Sequence, residues 1–292
     1  MTSHKSVYFY TFLAVLLWST VASAFKITLR YISPVTLVFF ATVSSAIVLS
    51  MMVVLQGNIR NPSDFTLREI RNVALRGLLN PFLYYIVLFK AYDLLPAQQA
   101  QPLNYTWPIF LSILSYLFLK HPLSRRQILA LLVSFCGVVI ISTRGQFTSF
   151  QSTNLPGILL GLGSALIWSS YWLITMKSRG KDLENMALSF LFGSIYTFIL
   201  YVYVHGFTLP VWQGLAGALY VGMFEMGITF FLWLKALQLA PSIAGISNYI
   251  YLAPFISLIW IRIIVGEEIL PATLIGLLLI ITGILLQQKD TR

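Results

Sequence analysis

Glu225 is the residue of this chain whose chemistry stands out most. It lies between Gly222 and Gly227, near the middle of a long apolar run. A carboxyl group at the centre of a membrane-spanning helix costs about 2.5–3.5 kcal/mol on insertion scales, so such groups usually face a cavity, where they carry a proton or pair with a cation. We therefore predict that Glu225 binds substrate and is the candidate group for coupling to protons, while facilitated diffusion without protons stays open. The alternative is a neutral acid that is hydrogen-bonded within the helix bundle.

Other polar and aromatic side chains occur at comparable depth in further apolar runs. Asparagine amides are uncommon in lipid because they need hydrogen-bond partners, and aromatic rings that line a cavity can stack on a flat ligand or surround a cation. The alternatives are hydrogen bonding between helices for the asparagines and ordinary packing for the rings. The remaining predicted substrate-binding residues are Trp18, Asn80, Tyr84, Asn104, Tyr105, Trp107, Trp168, Tyr171, Asn248 and Tyr251.

Several of these positions recur in the second half of the chain. Trp18 returns as Trp168 after 150 residues, and an offset of 145 residues relates Asn80 to Glu225. This position is therefore polar in both halves but ionisable in only one. An internal repeat written in apolar segments is typical of transporters whose site lies between the two halves. The other recurring pairs include Pro96 and Pro241, Pro108 and Pro254, and Gly137 and Gly283.

The composition indicates that the solvent of this chain is lipid. Hydrophobic residues make up 58% of the 292 residues, charged residues only 10%, and the mean hydropathy is +0.82. Soluble domains contain about 25% charged residues. The net charge of +10 does not indicate nucleic-acid binding, because the basic residues are scattered over short loops instead of forming one patch. The single cysteine, Cys136, excludes an intrachain disulfide, and no residue spacing predicts a metal site or a cofactor.

The apolar runs predict an all-α integral membrane protein with ten transmembrane helices. A span needs about 20 mostly apolar residues, and prolines in very short connections indicate helix hairpins. The predicted spans are Val7–Phe25, Pro34–Leu55, Val73–Asp93, Ala97–Leu119, Gln127–Thr143, Gly157–Met176, Met186–Val204, Trp212–Leu237, Ser242–Ile263 and Leu270–Leu286.

Five spans in each half make the repeat an inverted one. An odd number of spans brings the second half into the membrane from the opposite side, with a pseudo-two-fold axis in the membrane plane. The predicted repeats are residues 7–146 and 157–288. Most of the 19 Lys and Arg fall in loops on the side of the chain termini, which predicts a bacterial inner membrane protein with both termini in the cytoplasm.

Three features of the repeats point to a family. Each half has a tryptophan in its first helix, each has a Lys-Ala…Pro turn, and Gly266-Glu267-Glu268 precedes the last helix. With these features the chain resembles the EamA family of the drug/metabolite transporter superfamily. The first half has Lys120-His121 where that family usually has a Gly-Glu pair. For Glu267 and Glu268 we expect a loop or capping role. Lys90 and Asp93, three residues apart, can pair on one face of the helix, and the favoured alternative is that Lys90 extends to the membrane interface.

Within that superfamily, residues 104–108 and 167–171 are similar to segments of the bacterial aromatic-amino-acid exporters. This resemblance implies ten helices, cytoplasmic termini and a basket-like central cavity. It also implies that Asn104, Tyr105, Trp107 and Trp168 line the cavity, and it makes Asn80 and Tyr84 candidates by position.

The expected function is therefore export of amino acids, aromatic ones first, or of related small metabolites by alternating access. Two alternatives are transport of another metabolite or of an aromatic cation, and, less favoured, a channel or a receptor. An enzyme is not expected, because one central acid without a nearby histidine makes no catalytic cluster. The expected partners are a small-molecule substrate, membrane lipid and possible protons, with no nucleic acid and a monomer or weak dimer as the assembly.

Overall fold

A computed structural model describes residues 2–57, 65–120, 124–146, 154–175, 182–239 and 248–288. All regular elements in these ranges are helical. In chain order they are α1 (Thr2–Thr28), α2 (Pro34–Leu55), α3 (Leu67–Leu94), α4 (Ala97–Asn104), α5 (Trp107–Leu119), α6 (Arg125–Ser142), α7 (Leu155–Thr175), α8 (Asp182–His205), α9 (Trp212–Leu239), α10 (Tyr249–Val265) and α11 (Pro271–Gln288).

These helices lie where the sequence predicts membrane spans. Seven described helices are long and apolar enough to cross a membrane, namely α1–α3 and α6–α9, and α10 and α11 are shorter apolar helices. The chain is thus a multi-span helical membrane protein, whereas the count of ten crossings stays a prediction. The first part of the predicted ninth span, residues 242–247, and the preceding Pro241 lie outside the described residues.

The predicted fourth span is not one continuous helix. It consists of α4 and α5, which are separated at Tyr105 and Thr106. Proline has no amide hydrogen, so Pro108 cannot donate the helical hydrogen bond to the carbonyl of Asn104 four residues earlier. The chain starts a new helix instead, with Pro108 in its first turn. The break places the polar segment of this span at the end of one helix and the beginning of the next.

Capping side chains set where several helices begin. The hydroxyl of Ser33 accepts a hydrogen bond from the amide of Thr36 at the start of α2. Thr66 and Glu69 form a capping box at the start of α3, and Ser124 and Gln127 form another at α6. Each box satisfies amide groups that have no partner inside the helix.

The helices α6 and α11 are in close backbone contact. A Cβ atom added at Gly137 would lie 2.5 Å from the carbonyl oxygen of Gly276, and one added at Gly283 would lie 2.5 Å from that of Ala130. Gly283 is the repeat equivalent of Gly137, and Gly276 is that of Ala130, because the offset in residue number is the same for both pairs. The second contact is therefore the repeat equivalent of the first, with each residue replaced by its counterpart in the other half. Reciprocal contacts of this kind are the pattern that a two-fold axis produces.

A second reciprocal contact involves α3 with α8 and α9 with α2. A Cβ atom at Gly77 would lie 2.4 Å from the carbonyl oxygen of Ser189, and one at Gly222 would lie 2.2 Å from that of Ala41. The third helix of one half thus packs on the second helix of the other half, in both directions. Glycine is required at these positions because backbone atoms occupy the space of a side chain.

Candidate functional site

A cavity of about 410 Å³ lies inside the helix bundle, between residues of both halves. Its volume is in the range of small-molecule sites, which are about 300–1,000 Å³. Eight of the eleven predicted substrate-binding residues line this cavity: Trp18, Tyr84, Asn104, Tyr105, Trp107, Trp168, Glu225 and Tyr251. The structure brings these residues together from seven helices and the α4–α5 break, although their role in binding stays a prediction.

The residues that line the cavity reach both ends of the helix bundle. At one end they include Phe25 and Tyr92, near the ends of α1 and α3, whose rings are in edge-to-face contact at 5.1 Å. At the other end they include Gln127, Leu237 and Ile284, which lie near the ends of α6, α9 and α11. The two ends therefore differ in their side chains, with two aromatic rings in contact at the first.

Trp18 and Phe230 form one aromatic wall of the cavity. Their ring centroids are 5.8 Å apart at 86°, and Trp233 packs against Trp18 at 5.7 Å. Trp18 belongs to α1 and the other two rings belong to α9. Edge-to-face contacts of this type stabilise aromatic pairs beyond their buried area, so the wall is held in a fixed geometry.

Trp168, the repeat equivalent of Trp18, forms the opposite wall. Its ring lies 4.8 Å from that of Tyr84 and 5.8 Å from that of Phe230. Tyr171 stacks on Trp168 at 5.6 Å but does not itself line the cavity. Both repeated tryptophans thus contact Phe230, which joins the two walls.

Glu225 lies in a six-residue π-helical segment, Gly222–Gly227, within α9. Short π segments inside α-helices are frequent at functional sites because they change the direction of one or two side chains. The hydroxyl of Tyr85 donates a hydrogen bond of 3.2 Å to Glu225 Oε1, whereas Oε2 has no hydrogen-bond partner among the described residues. The residue is only 8% exposed and lies at the cavity wall.

Asn80 occupies the matching place in the first half, but it does not line the cavity. It lies in the π-helical segment Leu78–Leu83 of α3, and its own backbone is extended. The residue before a proline is disfavoured in the α region, which explains the distortion ahead of Pro81. The side chain is buried, and its Oδ1 atom has no partner in the described part of the chain.

Asn104 joins three helices at the wall of the cavity. Its Oδ1 atom accepts a hydrogen bond from the hydroxyl of Tyr84 at 3.2 Å, and its Nδ2 atom donates one to Ser164 Oγ at 2.9 Å. These bonds connect the end of α4 with α3 and α7. The amide thus has the hydrogen-bonding role between helices that was the alternative to substrate binding, and it also faces the cavity.

The other predicted residues differ in what the structure describes of them. Tyr105 and Trp107 line the cavity from the α4–α5 break, and the carbonyl of Trp107 accepts a hydrogen bond from Ser169 of α7 at 2.6 Å. Tyr251 is buried and lines the cavity from α10. The side chain of Asn248 lies outside the described residues.

Several residues of the site were not predicted, and three of them contact predicted residues directly. Phe230 and Trp233 line the cavity, and Tyr85 holds Glu225. Phe230 and Tyr85 are separated by the same 145 residues as Glu225 and Asn80, so the repeat could have identified this pair. Nothing in the sequence pairs Tyr85 with an acid 140 residues away.

Within the described residues, no group of three His, Cys, Asp or Glu side chains could hold a metal ion. Of the described residues that line the cavity, Glu225 is the only one with a carboxyl group, and none carries a basic side chain. The described lining therefore consists of aromatic and aliphatic side chains, neutral polar groups and one acid.

Known proteins with similar sequences are transporters. An uncharacterized transporter, YvbV, of Bacillus subtilis is 27% identical over 74% of this chain and 71% of its own length. The aromatic amino acid exporter YddG of Ancylobacter novellus is 25% identical over 79% of both chains. A probable terminal-alkyne amino-acid exporter of Streptantibioticus cattleyicolor is 25% identical over 77% of this chain and 75% of its own.

The fold also matches a solved crystal structure, which covers 99% of both chains with a TM-score of 0.67 and 21% identity. The EamA-like transporter family matches residues 5–143 and again residues 155–287. These two matches cover nearly the whole sequence, and each contains one of the two repeated tryptophans. The chain belongs to the EamA-like transporter family.

Proposed function

We propose that this protein is a secondary transporter that exports amino acids, aromatic ones first, by alternating access through the central cavity. The observation that carries this proposal is the cavity itself, which has aromatic walls and contains one carboxyl group. Two of the similar proteins named above are amino-acid exporters, which supports the substrate class. Related small metabolites are the second candidates.

The reciprocal packing of the halves supports alternating access. We propose that residues 7–146 and 157–288 form two inverted five-helix repeats, because the Gly137 and Gly283 contacts are exchanged copies of each other. Two inverted repeats can exchange their conformations, and this exchange closes one end of a central site while it opens the other. The two end states then have similar free energies, as a reversible carrier needs.

The chemistry of the cavity suits the parts of an aromatic amino acid. Trp18, Trp168 and Phe230 provide flat surfaces for an aromatic side chain. Glu225 can accept hydrogen bonds from an ammonium group, and neutral donors such as Gln101 and Tyr105 remain for a carboxylate. Such a site binds through few polar groups with large apolar walls, as is usual for small-molecule sites.

We further propose that Glu225 couples export to protons. A carboxyl group inside a membrane protein can be protonated from one side and deprotonated to the other. The Tyr85 hydroxyl, 3.2 Å away, is a neutral donor that stabilises the charged form without adding a second charge. We place the protein in a bacterial plasma membrane, with both termini in the cytoplasm.

Counterflow in proteoliposomes tests the proposed function. The purified protein is reconstituted with an excess of unlabelled phenylalanine, tyrosine or tryptophan inside, and entry of the same labelled compound is followed. A carrier gives saturable uptake that internal substrate accelerates, whereas a channel gives uptake that is linear in concentration. Absence of accelerated uptake for all three amino acids would reject aromatic amino acids as the substrate class.

A further inference from the structure

A network of charged and amide side chains lies at the end of the cavity that Phe25 and Tyr92 line. We propose that Lys26, Gln98 and Glu267 form a polar latch that holds this end closed in the resting transporter and must break once in each transport cycle. The inference rests on the proposed alternating access, and it assigns the residues that control which end is open.

Lys26 holds α1 to the end of α3. Its Nζ atom donates hydrogen bonds of 2.7 Å to the carbonyl oxygens of Tyr92 and Leu95. These carbonyls belong to the last turn of α3 and the residue after it, where helical partners are missing. A cation at a helix C-terminus is also favoured by the helix dipole. The bonds therefore close the gap between α1 and α3 directly above the Phe25–Tyr92 contact.

Glu267 caps the start of α4, where amide groups lack helical partners. Gly266 has a positive φ of 80°, a conformation that glycine adopts at little cost, and this turn directs the next residue towards α4. The Glu267 carboxylate accepts hydrogen bonds from the amides of Ala97 at 2.7 Å and Gln98 at 3.2 Å. The expected capping role of Glu267 is thus confirmed, but the helix it caps belongs to the other half of the chain.

Gln98 completes the connection between the halves. Its Nε2 atom donates to the carbonyl oxygen of Glu268 at 2.7 Å, and its Oε1 atom accepts from the amide of Leu270 and the hydroxyl of Thr273, both at 2.9 Å. The side chain is almost completely buried. Together with the Glu267 bonds, five hydrogen bonds join the start of α4 to residues 267–273.

The sequence does not repeat this latch at the other end. By the offset of the repeat, His121 occupies the place of Glu267 and Ile243 that of Gln98. Neither residue has a carboxylate or an amide in its side chain, so the second repeat supplies the chemistry of Glu267 and the first that of Gln98 without a counterpart in the other. The latch therefore favours a resting state in which the end at Phe25 and Tyr92 is closed.

A cysteine reporter measures whether the latched end opens. The parent protein carries Val21→Cys in the cavity wall and Cys136→Ser, and a membrane-impermeant maleimide is added from each side of the membrane in turn. We expect Lys26→Met, Glu267→Gln and Gln98→Met each to raise the labelling rate from the latched side by about fivefold or more. Labelling from the other side should fall or stay constant, because the end states are in exchange.

Lys90→Met is the matched control for removal of a lysine near the same end. Lys90 pairs with Asp93 at 2.6 Å on the exposed side of α3, as its spacing allows, and takes no part in the latch. This variant should label at the parent rate. Gln98→Met keeps the size of the side chain and adds no charge. It therefore tests the latch if Lys26→Met does not fold. Folded Gln98→Met and Glu267→Gln proteins that label at the parent rate would overturn the proposal.

The experiment separates the latch from the substrate assignment, since labelling needs no substrate. A parent protein that exchanges aromatic amino acids while the latch variants leave labelling unchanged rejects the latch alone. The opposite result is also informative. If the parent protein exchanges no aromatic amino acid but the latch variants label faster, the latch is supported and only the substrate class is rejected.

Discussion

Replacing Gly137 by alanine tests the contact between α6 and α11 on which the two-fold relation of the halves depends. The new Cβ atom would lie 2.5 Å from the carbonyl oxygen of Gly276 and 2.9 Å from Ile280 Cγ1. Ordinary Cβ contacts begin at 3.4 Å, and the nearest atom belongs to a backbone that cannot rotate away. The helices must therefore separate by about 1 Å, and overpacking of this kind costs about 1–3 kcal/mol of the free energy of unfolding.

Gly163→Ala is the matched control, because its Cβ atom would have no neighbour closer than 3.8 Å. Both replacements gain the same helix propensity, up to about 1 kcal/mol. The difference in the free energy of unfolding between the two variants therefore isolates the cost of the contact. Gly283→Ala should lose stability as Gly137→Ala does, since its Cβ atom would lie 2.5 Å from the carbonyl oxygen of Ala130.

Equilibrium unfolding of the purified proteins in mixed micelles, with increasing amounts of a denaturing detergent, provides the three free energies. We expect Gly163→Ala at or above the stability of the unchanged protein, and the other two variants below it by similar amounts. Equal stability of Gly137→Ala and Gly163→Ala would refute the close approach of α6 and α11. A large loss for Gly137→Ala with none for Gly283→Ala would refute the reciprocity of the two contacts.

Three further predictions concern the cavity. Glu225→Gln should abolish uptake driven by a pH gradient while counterflow persists, and gradient-driven flux at the original rate would exclude Glu225 as the coupling group. Trp168→Ala should raise the KM for an aromatic substrate about tenfold, equivalent to about 1.4 kcal/mol, whereas Trp212→Ala, 74% exposed outside the cavity, should leave it unchanged. Tyr84→Phe removes the hydrogen bond to Asn104 and should lower the free energy of unfolding by about 0.5–1.5 kcal/mol, and an unchanged stability would mean that this bond contributes nothing.

The sequence identifies the residues of the site better than it identifies their contacts. Trp18 and Trp168 were found from their repetition, and both lie on the cavity wall. The pair Asn80 and Glu225 was also found from the repeat, and each lies in a π-helical segment. The segments themselves were not predicted, because they depend on tertiary contacts such as that of Gly222 with Ala41. Hydrophobic periodicity reports which residues are apolar and contains no information on such local changes of the helix.

The break between α4 and α5 shows a different limit. Pro108 was recognised, and its missing amide hydrogen is known from the sequence alone. A proline in a membrane helix often only kinks it, because neighbouring groups satisfy the free carbonyl. In this fold the break is accompanied by contacts with α7, where Ser169 donates a hydrogen bond to the carbonyl of Trp107 and Ser164 accepts one from the side chain of Asn104. These partners are remote in sequence, so the outcome could not be predicted from the fourth span.

The residues that repeat and the residues that differ serve separate purposes in this fold. The repeated tryptophans and the packing glycines build two equivalent halves, and equivalence is what allows them to exchange conformations. A carrier built only from equal halves would have no preferred end state and no coupled ion. Two pairs of equivalent positions differ between the halves: Glu225 corresponds to Asn80, and Glu267 corresponds to His121. These differences break the symmetry at the cavity wall and at one end of the cavity. Changes at these unequal positions should therefore alter coupling and the direction of opening, whereas changes at the equal positions should alter the stability of the whole bundle.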